Sequence, residues 1–348
     1  MSKSIDIKFI EKEYDTLFPK CESLCKEIVK QLEHLIEKEN IQLAVPLQYR
    51  TKTFASISEK LQQKRFNIKK SLLELQDLSG IRIITLFKRD SIKVAELVNS
   101  FFKIVNQYNT EERLDENEFG YSSIHIVCQV KKKWLHLPSF SQFENLKLEI
   151  QIRTLSQHSW AAASNFFQYK KEDNVPKPLK RSISRISALL ETVDLEFERL
   201  LIDRANYRAE AKEQVNDKSK NLLLNVDLLE EILESKLPAK FKSTEDDCSI
   251  LIDNLIVLGY TTVENLNTLI EKQLLAVLEE NDRICRGLLK VYQEDEDVNL
   301  FENYGVGINR IKELQNGVFF TYMGLVRNML TIDLGRDWNE IYKVKKKY

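Results

Sequence analysis

The chain has 348 residues, 43% hydrophobic and 30% charged, which is enough to bury a sizeable core and favours two domains over one. Fifty-two basic side chains against 53 acidic ones leave a formal net charge of -1, so no overall cationic field holds nucleic acid or an anionic membrane. No apolar run has the length of a signal peptide or a membrane span, and the five scattered cysteines (Cys21, Cys25, Cys128, Cys248, Cys285) suit neither a disulfide framework nor a paired metal site. A reduced cytoplasmic compartment is therefore expected.

Residues 5–40 set Ile10, Tyr14, Leu17, Cys21, Leu24, Ile28, Leu32 and Ile36 at helical spacing, predicting one or two amphipathic helices. Ser56 to Leu75 reads as helix again. The β-branched run Ile81 to Phe87 after Gly80 predicts a buried strand. A helix is expected over Asp90 to Asn106, and strands over Ser122 to Lys131 and Leu146 to Arg153. In the last of these Leu148, Ile150 and Ile152 alternate with Glu149, Gln151 and Arg153. Three polar groups on one strand face are costly to bury unpaired and well suited to lining a cleft.

From Ser156 the pattern is helical to the end, with breaks at Pro176 and Pro178, near Leu237-Pro238, and over residues 294–299. Leu222, Leu223, Leu224, Leu228, Leu229, Ile232 and Leu233 make a broad apolar face, which predicts a separate helical bundle over residues 220–348.

Four stretches carry unusual chemistry. Arg50 and Lys52 lead into a helix bearing Ser56 and Lys60 one turn apart, so four phosphate-binding groups can converge at its start; a solvated cationic helix is the plainer meaning. Asp77 stands before the strand that bears Arg82, where a carboxylate can hold Mg²⁺ or simply end a helix-to-strand turn at Gly80. Gly120-Tyr121-Ser122-Ser123-Ile124-His125 offers an aromatic face and an imidazole, or only a core tyrosine and a surface histidine. Glu149, Gln151 and Arg153 precede Gln157-His158-Ser159-Trp160-Ala161 at the same rim.

Taken in this order, the stretches Arg50/Lys52/Ser56/Lys60, DLSGIR, GYSSIH, EIQIRT and QHSWA resemble the synthetase domain of the RelA/SpoT family, including its stand-alone small alarmone synthetases, over about residues 10–205. The resemblance implies a mixed β-sheet flanked by helices, similar to nucleotidyltransferases, over residues 1–208; with the all-α region that the helical pattern predicts over 209–348, for which no family resemblance is found, the expected fold class is α+β. It implies a GTP/GDP pyrophosphokinase that moves the pyrophosphate of ATP to the 3′-hydroxyl of a guanine nucleotide. Carried over residue by residue, Arg50, Lys52, Ser56, Lys60 and Arg82 bind ATP, and Asp77 and Glu149 are the catalytic carboxylates that hold Mg²⁺, Glu149 assisting the metal or taking the 3′ proton. Tyr121 stacks on the acceptor guanine, with His125, Gln151 and Arg153 beside the acceptor.

Residues 111–118 are acidic where many members are basic, and Ser164-Asn165 stands where many have Glu-His. None of the four histidines is followed by Asp, so hydrolysis of the product is not expected. Two other readings stay open. One is a toxin-like relative that pyrophosphorylates the 3′ end of tRNA, with basic tracks at Lys131 to Lys133, around Lys180, Arg181 and Arg185, and at Lys343 to Lys347. The other is a non-catalytic nucleotide-binding module. No membrane partner is expected; a homo-oligomer is left open.

Overall fold

The computed structural model describes residues 7–63, 68, 70–109, 123–166, 176–215, 222–243, 246–294, 310–336 and 338. It divides into two compact units, residues 1–201 and 202–348.

In the first unit, α1 (Ile7–Lys38) buries Ile10, Cys21, Leu24, Cys25, Ile28, Leu32 and Ile36, the stripe expected from the sequence. Five strands follow among shorter helices: β1 (Gln48–Thr51), α2 (Phe54–Gln62), β2 (Ser79–Thr85), α3 (Lys88–Phe101), β3 (Lys103–Asn109), β4 (Ile124–Gln129), β5 (Leu148–Thr154) and α4 (Leu155–Phe166). The sheet order is β1-β2-β5-β4-β3, with β2 and β5 parallel and the other neighbours antiparallel. This is the mixed sheet that the motifs imply.

One sheet face is apolar. Ile81 and Ile83 of β2, Ile126 of β4, and Ile150 and Ile152 of β5 are buried together with Leu24, Ile28, Val94 and Val98 from α1 and α3. Each fully buried aliphatic side chain contributes about 1.5–3 kcal/mol, so this layer fixes the register of the strands, because a slip of one residue would expose all of them. The opposite face is thereby left to the polar residues of the same strands.

Two expectations need correction. The helix expected over Asp90 to Asn106 ends at Phe101, and Lys103–Asn109 is strand β3. A bulge between Ile104 and Asn106 breaks the two-residue period of that strand, so its apolar residues mimic helical spacing. The helix expected over Ser56 to Leu75 stops at Gln62, and among the described residues that follow only a short 3₁₀ turn forms, at Leu72–Glu74. There Ser71 caps Leu73 N at 3.1 Å and Glu13 of α1 accepts from Leu72 N at 2.9 Å, capturing backbone groups that a continuous helix would use.

The long helix α5 (Lys177–Val215) spans the division between the two units. The second unit also contains α6 (Val226–Lys236), α7 (Cys248–Val257), α8 (Val263–Glu294), α9 (Ile311–Gln315) and α10 (Tyr322–Leu334), the helical bundle expected from the leucine pattern. Asn225, Asp247 and Thr321 cap the starts of α6, α7 and α10, and Gly335, at φ 60, closes α10 in the left-handed conformation that glycine adopts without strain. Asn281 of α8 is fully buried. Its Oδ1 accepts from Phe319 N and Phe320 N, and its Nδ2 donates to Gly317 O, so the buried amide is paired on both sides.

Candidate active site

Strand register assembles the polar face. Parallel pairing sets Gly80 beside Glu149, Arg82 beside Gln151, and Ile84 beside Arg153. Antiparallel pairing adds His125 beside Gln151, Tyr108 beside His125, Arg50 beside Gly80, and Gln48 beside Arg82. Register partners project from the same side of a sheet, so residues from all five strands share one surface. The glycine at position 80 leaves room between Arg50 and Glu149.

Glu149 takes three hydrogen bonds from neighbours on that surface. Its Oε1 accepts from His125 Nδ1 at 2.9 Å and from the Tyr108 hydroxyl at 3.2 Å, and its Oε2 accepts from Gln151 Nε2 at 2.9 Å. Arg153 in turn donates to Gln151 Oε1 at 2.6 Å. Burial would raise the Glu149 carboxyl, but the hydrogen bonds from His125 and Gln151, the His125 charge and the Tyr108 hydroxyl outweigh it and hold the group below its usual value. Glu149 is therefore an ionised carboxylate at neutral pH.

Asp77, in the turn before β2, is ion-paired with the Lys52 ammonium. Asp77 and Glu149 line the same small cavity of about 90 Å³, with Arg50, Gly80, Arg82 and Gln151 around them. Among the described residues no three His, Cys, Asp or Glu side chains come together to cage a metal ion. Two carboxylates beside a cation-lined cleft fit Mg²⁺, which keeps several waters and takes one or two protein carboxylates. The Lys52 ammonium on Asp77 marks the spot as one that attracts a cation.

A larger cleft of about 710 Å³ adjoins these residues. Arg50, Lys52, Lys60, Arg82 and Arg153 line it together with Ser56, His125 and Gln151, and among the described residues no carboxylate does. Burial, the charge of Lys52 and that of Arg50 push the Lys60 ammonium below its usual value, with Asp77 opposing. Such mutual repulsion among cations is relieved by a polyanion. Arg82 Nε is buried without a hydrogen-bond partner, although its NH1 donates to Gln48 at 3.3 Å.

The sequence expectations thus converge. Arg50, Lys52, Ser56, Lys60, Arg82, His125, Gln151 and Arg153 line the cleft, and Asp77 and Glu149 line the cavity next to it. Tyr121 lies outside the described residues. The sequence reading missed Tyr108, because its strand was taken for the end of a helix, and it missed Thr53, whose hydroxyl caps Ser56 N at the start of α2. On α4, Trp160, Ala161 and Ser164 form one wall of the cleft, and burial followed by the charges of Arg153 and Arg82 lowers the His158 imidazole.

The family model described as a region found in RelA / SpoT proteins matches residues 49–174. GTP pyrophosphokinase YjbM of Bacillus subtilis (strain 168) is 31% identical over 150 residues, covering 42% of this chain and 67% of its own. The chain belongs to the RelA/SpoT family.

A second relative, GTP pyrophosphokinase YwaC of the same organism, is 28% identical over 174 residues, covering 48% of this RelA/SpoT chain and 77% of its own. Among solved structures, the small alarmone synthetase 1 from Bacillus subtilis aligns with a TM-score of 0.46 at 26% identity, covering 56% of this chain and 97% of that one. Every lining residue of the cleft, from Arg50 to Ser164, falls inside the segment matched by the RelA/SpoT model. The unit of residues 202–348 falls outside it.

Proposed function

We propose that this chain is a GTP pyrophosphokinase that moves the pyrophosphate of ATP to the ribose 3′-hydroxyl of a guanine nucleotide, making (p)ppGpp and AMP, with Mg²⁺ and in the cytoplasm. The observation that carries the reading is one small cavity lined by both Asp77 and Glu149 next to a cleft lined by five cationic side chains. Both relatives named above carry the name GTP pyrophosphokinase.

In the transfer, the 3′-oxygen bonds to the β-phosphorus of ATP, the bond from that phosphorus to the α,β-bridging oxygen breaks, and AMP leaves. Arg50, Lys52, Ser56, Lys60 and Arg82 take the ATP phosphates and the charge that spreads over them in the transition state. The 3′ proton passes to a carboxylate, a role given to Glu149 and supported by the hydrogen bonds that hold it ionised. Tyr121, His125, Gln151 and Arg153 receive the acceptor. Asp77 and Glu149 would hold Mg²⁺, which when bound neutralises phosphate charge.

Purified protein with Mg²⁺ and ATP labelled in its terminal phosphates tests the reading, with GTP, GDP and deacylated tRNA as separate acceptors. Label is expected on the guanine nucleotides and is expected to vanish in Asp77→Asn and Glu149→Gln with the far-ultraviolet circular dichroism unchanged. Label on tRNA alone overturns the reading in favour of tRNA 3′-end modification. Label nowhere leaves a nucleotide-binding module.

A further inference from the structure

Tyr108 lies on the edge strand β3, outside both sets of cavity-lining residues, yet it reaches the centre of the polar network. Its ring stacks on the His125 imidazole with centroids 4.9 Å apart and planes 17° from parallel. Its hydroxyl is 3.2 Å from Glu149 Oε1 and 3.3 Å from His125 Nδ1. On the far side of the imidazole, Nε2 is 2.7 Å from Ser123 Oγ. Only 12% of the His125 side chain and 12% of the Glu149 side chain are exposed, so this arrangement is packed in place.

The donors and acceptors can be assigned by elimination. An ionised carboxylate only accepts, so His125 Nδ1 carries a proton and donates it to Glu149 Oε1. On the other side of the ring Nε2 pairs with the Ser123 hydroxyl. The Tyr108 hydroxyl donates to Oε1 as well, because Nδ1 has no lone pair left for it. Oε1 is thus saturated by two donors and Oε2 keeps a free direction beside the single bond from Gln151.

We infer that Tyr108 is a positioning residue for the transfer: its ring fixes the His125 plane, its hydroxyl shares Glu149 Oε1 with His125, and together they aim the other carboxylate oxygen into the cavity that Glu149 lines with Asp77. The inference rests on the role of Glu149 in the proposed function. It also gives His125 a task within the protein, because both of its ring nitrogens are engaged by Glu149 and Ser123. Partners that orient a functional carboxylate typically matter by about ten- to a hundredfold.

Tyr108→Phe keeps the stacked ring and removes only the hydroxyl. The expected result is a fall in kcat of roughly tenfold, with the KM for ATP and the melting temperature unchanged. The His125 ring gives a readout independent of activity: the Nδ1–H proton resonance is expected to move downfield in Tyr108→Phe, because Glu149 Oε1 then accepts from Nδ1 without sharing itself with a second donor. A parent enzyme that transfers pyrophosphate beside a Tyr108→Phe variant of equal kcat overturns the inference and leaves the proposed function standing. A parent that transfers nothing overturns the proposed function, and the ring resonances then decide the inference: an Nδ1–H resonance displaced in the variant supports it, and identical spectra overturn it.

Discussion

Gly80 on β2 and Glu149 on β5 are register partners across the parallel junction of the sheet, and both line the small cavity that also holds Asp77. A Cβ added at Gly80 would lie 3.8 Å from Arg50 Cγ and from Arg50 O, and 3.9 Å from Glu149 O, which is ordinary contact. Gly80→Ala is therefore expected to fold and keep most of the activity. Gly80→Val adds two methyl groups beyond that Cβ in a cavity of about 90 Å³. Overpacking of this kind costs about 1–3 kcal/mol, and the variant is expected to lose most transfer activity as well. Urea unfolding and an ATP transfer assay on the two variants check this; equal activity in both would mean that the cavity is not used.

Lys52 is a bridge between the two cavities. Its ammonium is paired with Asp77, its side chain is only 9% exposed, and it also lines the cationic cleft. A charge-assisted hydrogen bond to phosphate is worth about 1.5–3 kcal/mol, so Lys52→Met is expected to raise the KM for ATP by about ten- to a hundredfold. The loss of stability should be small, because Asp77 stays 36% exposed and water solvates the abandoned carboxylate. Steady-state kinetics beside a thermal melt separates the two effects, and a large drop in melting temperature with an unchanged KM would reduce the pair to a structural one.

The polar face of β5 was legible in the sequence because the strand alternates strictly and carries its apolar partners in a buried layer. Arg50, Lys52, Ser56 and Lys60 were legible for a similar reason: a short extended lead and one helical turn fix where such residues point. Tyr108 was not. Its strand is bulged and follows a helix directly, so local spacing favours the wrong element, and only pairing with His125 shows that the tyrosine faces Glu149. The 3₁₀ turn at Leu72–Glu74 was hidden in the same way, since the carboxylate that holds its start is supplied by Glu13, distant in sequence.

Thr154, at the end of β5, is a joint that the motif did not explain. Its hydroxyl donates to Asp194 Oδ2 of α5 at 2.6 Å, and its Oγ1 accepts from Gln157 N at 3.2 Å at the start of α4. Both residues are buried, and Asp194 Oδ1 has no hydrogen-bond partner. Thr154→Val preserves the shape but removes the donor from a buried carboxylate, which should cost about 1–3 kcal/mol. Thr154→Ser should recover most of that loss in urea unfolding. If valine and serine behave alike, the joint is held by packing alone.

The second unit carries its own titrating clasp. Asp333 at the end of α10 accepts from the Tyr260 hydroxyl at 2.5 Å, from Lys272 Nζ at 2.7 Å and from Gln273 Nε2 at 3.1 Å. The hydrogen bonds from Lys272, Tyr260 and Gln273 hold the Asp333 carboxyl down at about 2, and burial followed by the bond to Asp333 and its charge pushes the Tyr260 hydroxyl up to about 12. A depressed carboxyl stabilises the fold above its unfolded value, near 4, and that contribution is lost as the pH falls toward 2. A raised phenol stabilises below its unfolded value, near 10, and its contribution is lost as the pH rises toward 12. Asp333→Asn should therefore lower the melting temperature of this unit at pH 7, and the gap to the parent should close as the pH approaches 2. Tyr260→Phe should show a gap that closes toward pH 12. Melting curves across this range decide the matter, and a gap that does not change with pH would show that the clasp contributes by shape and not by charge.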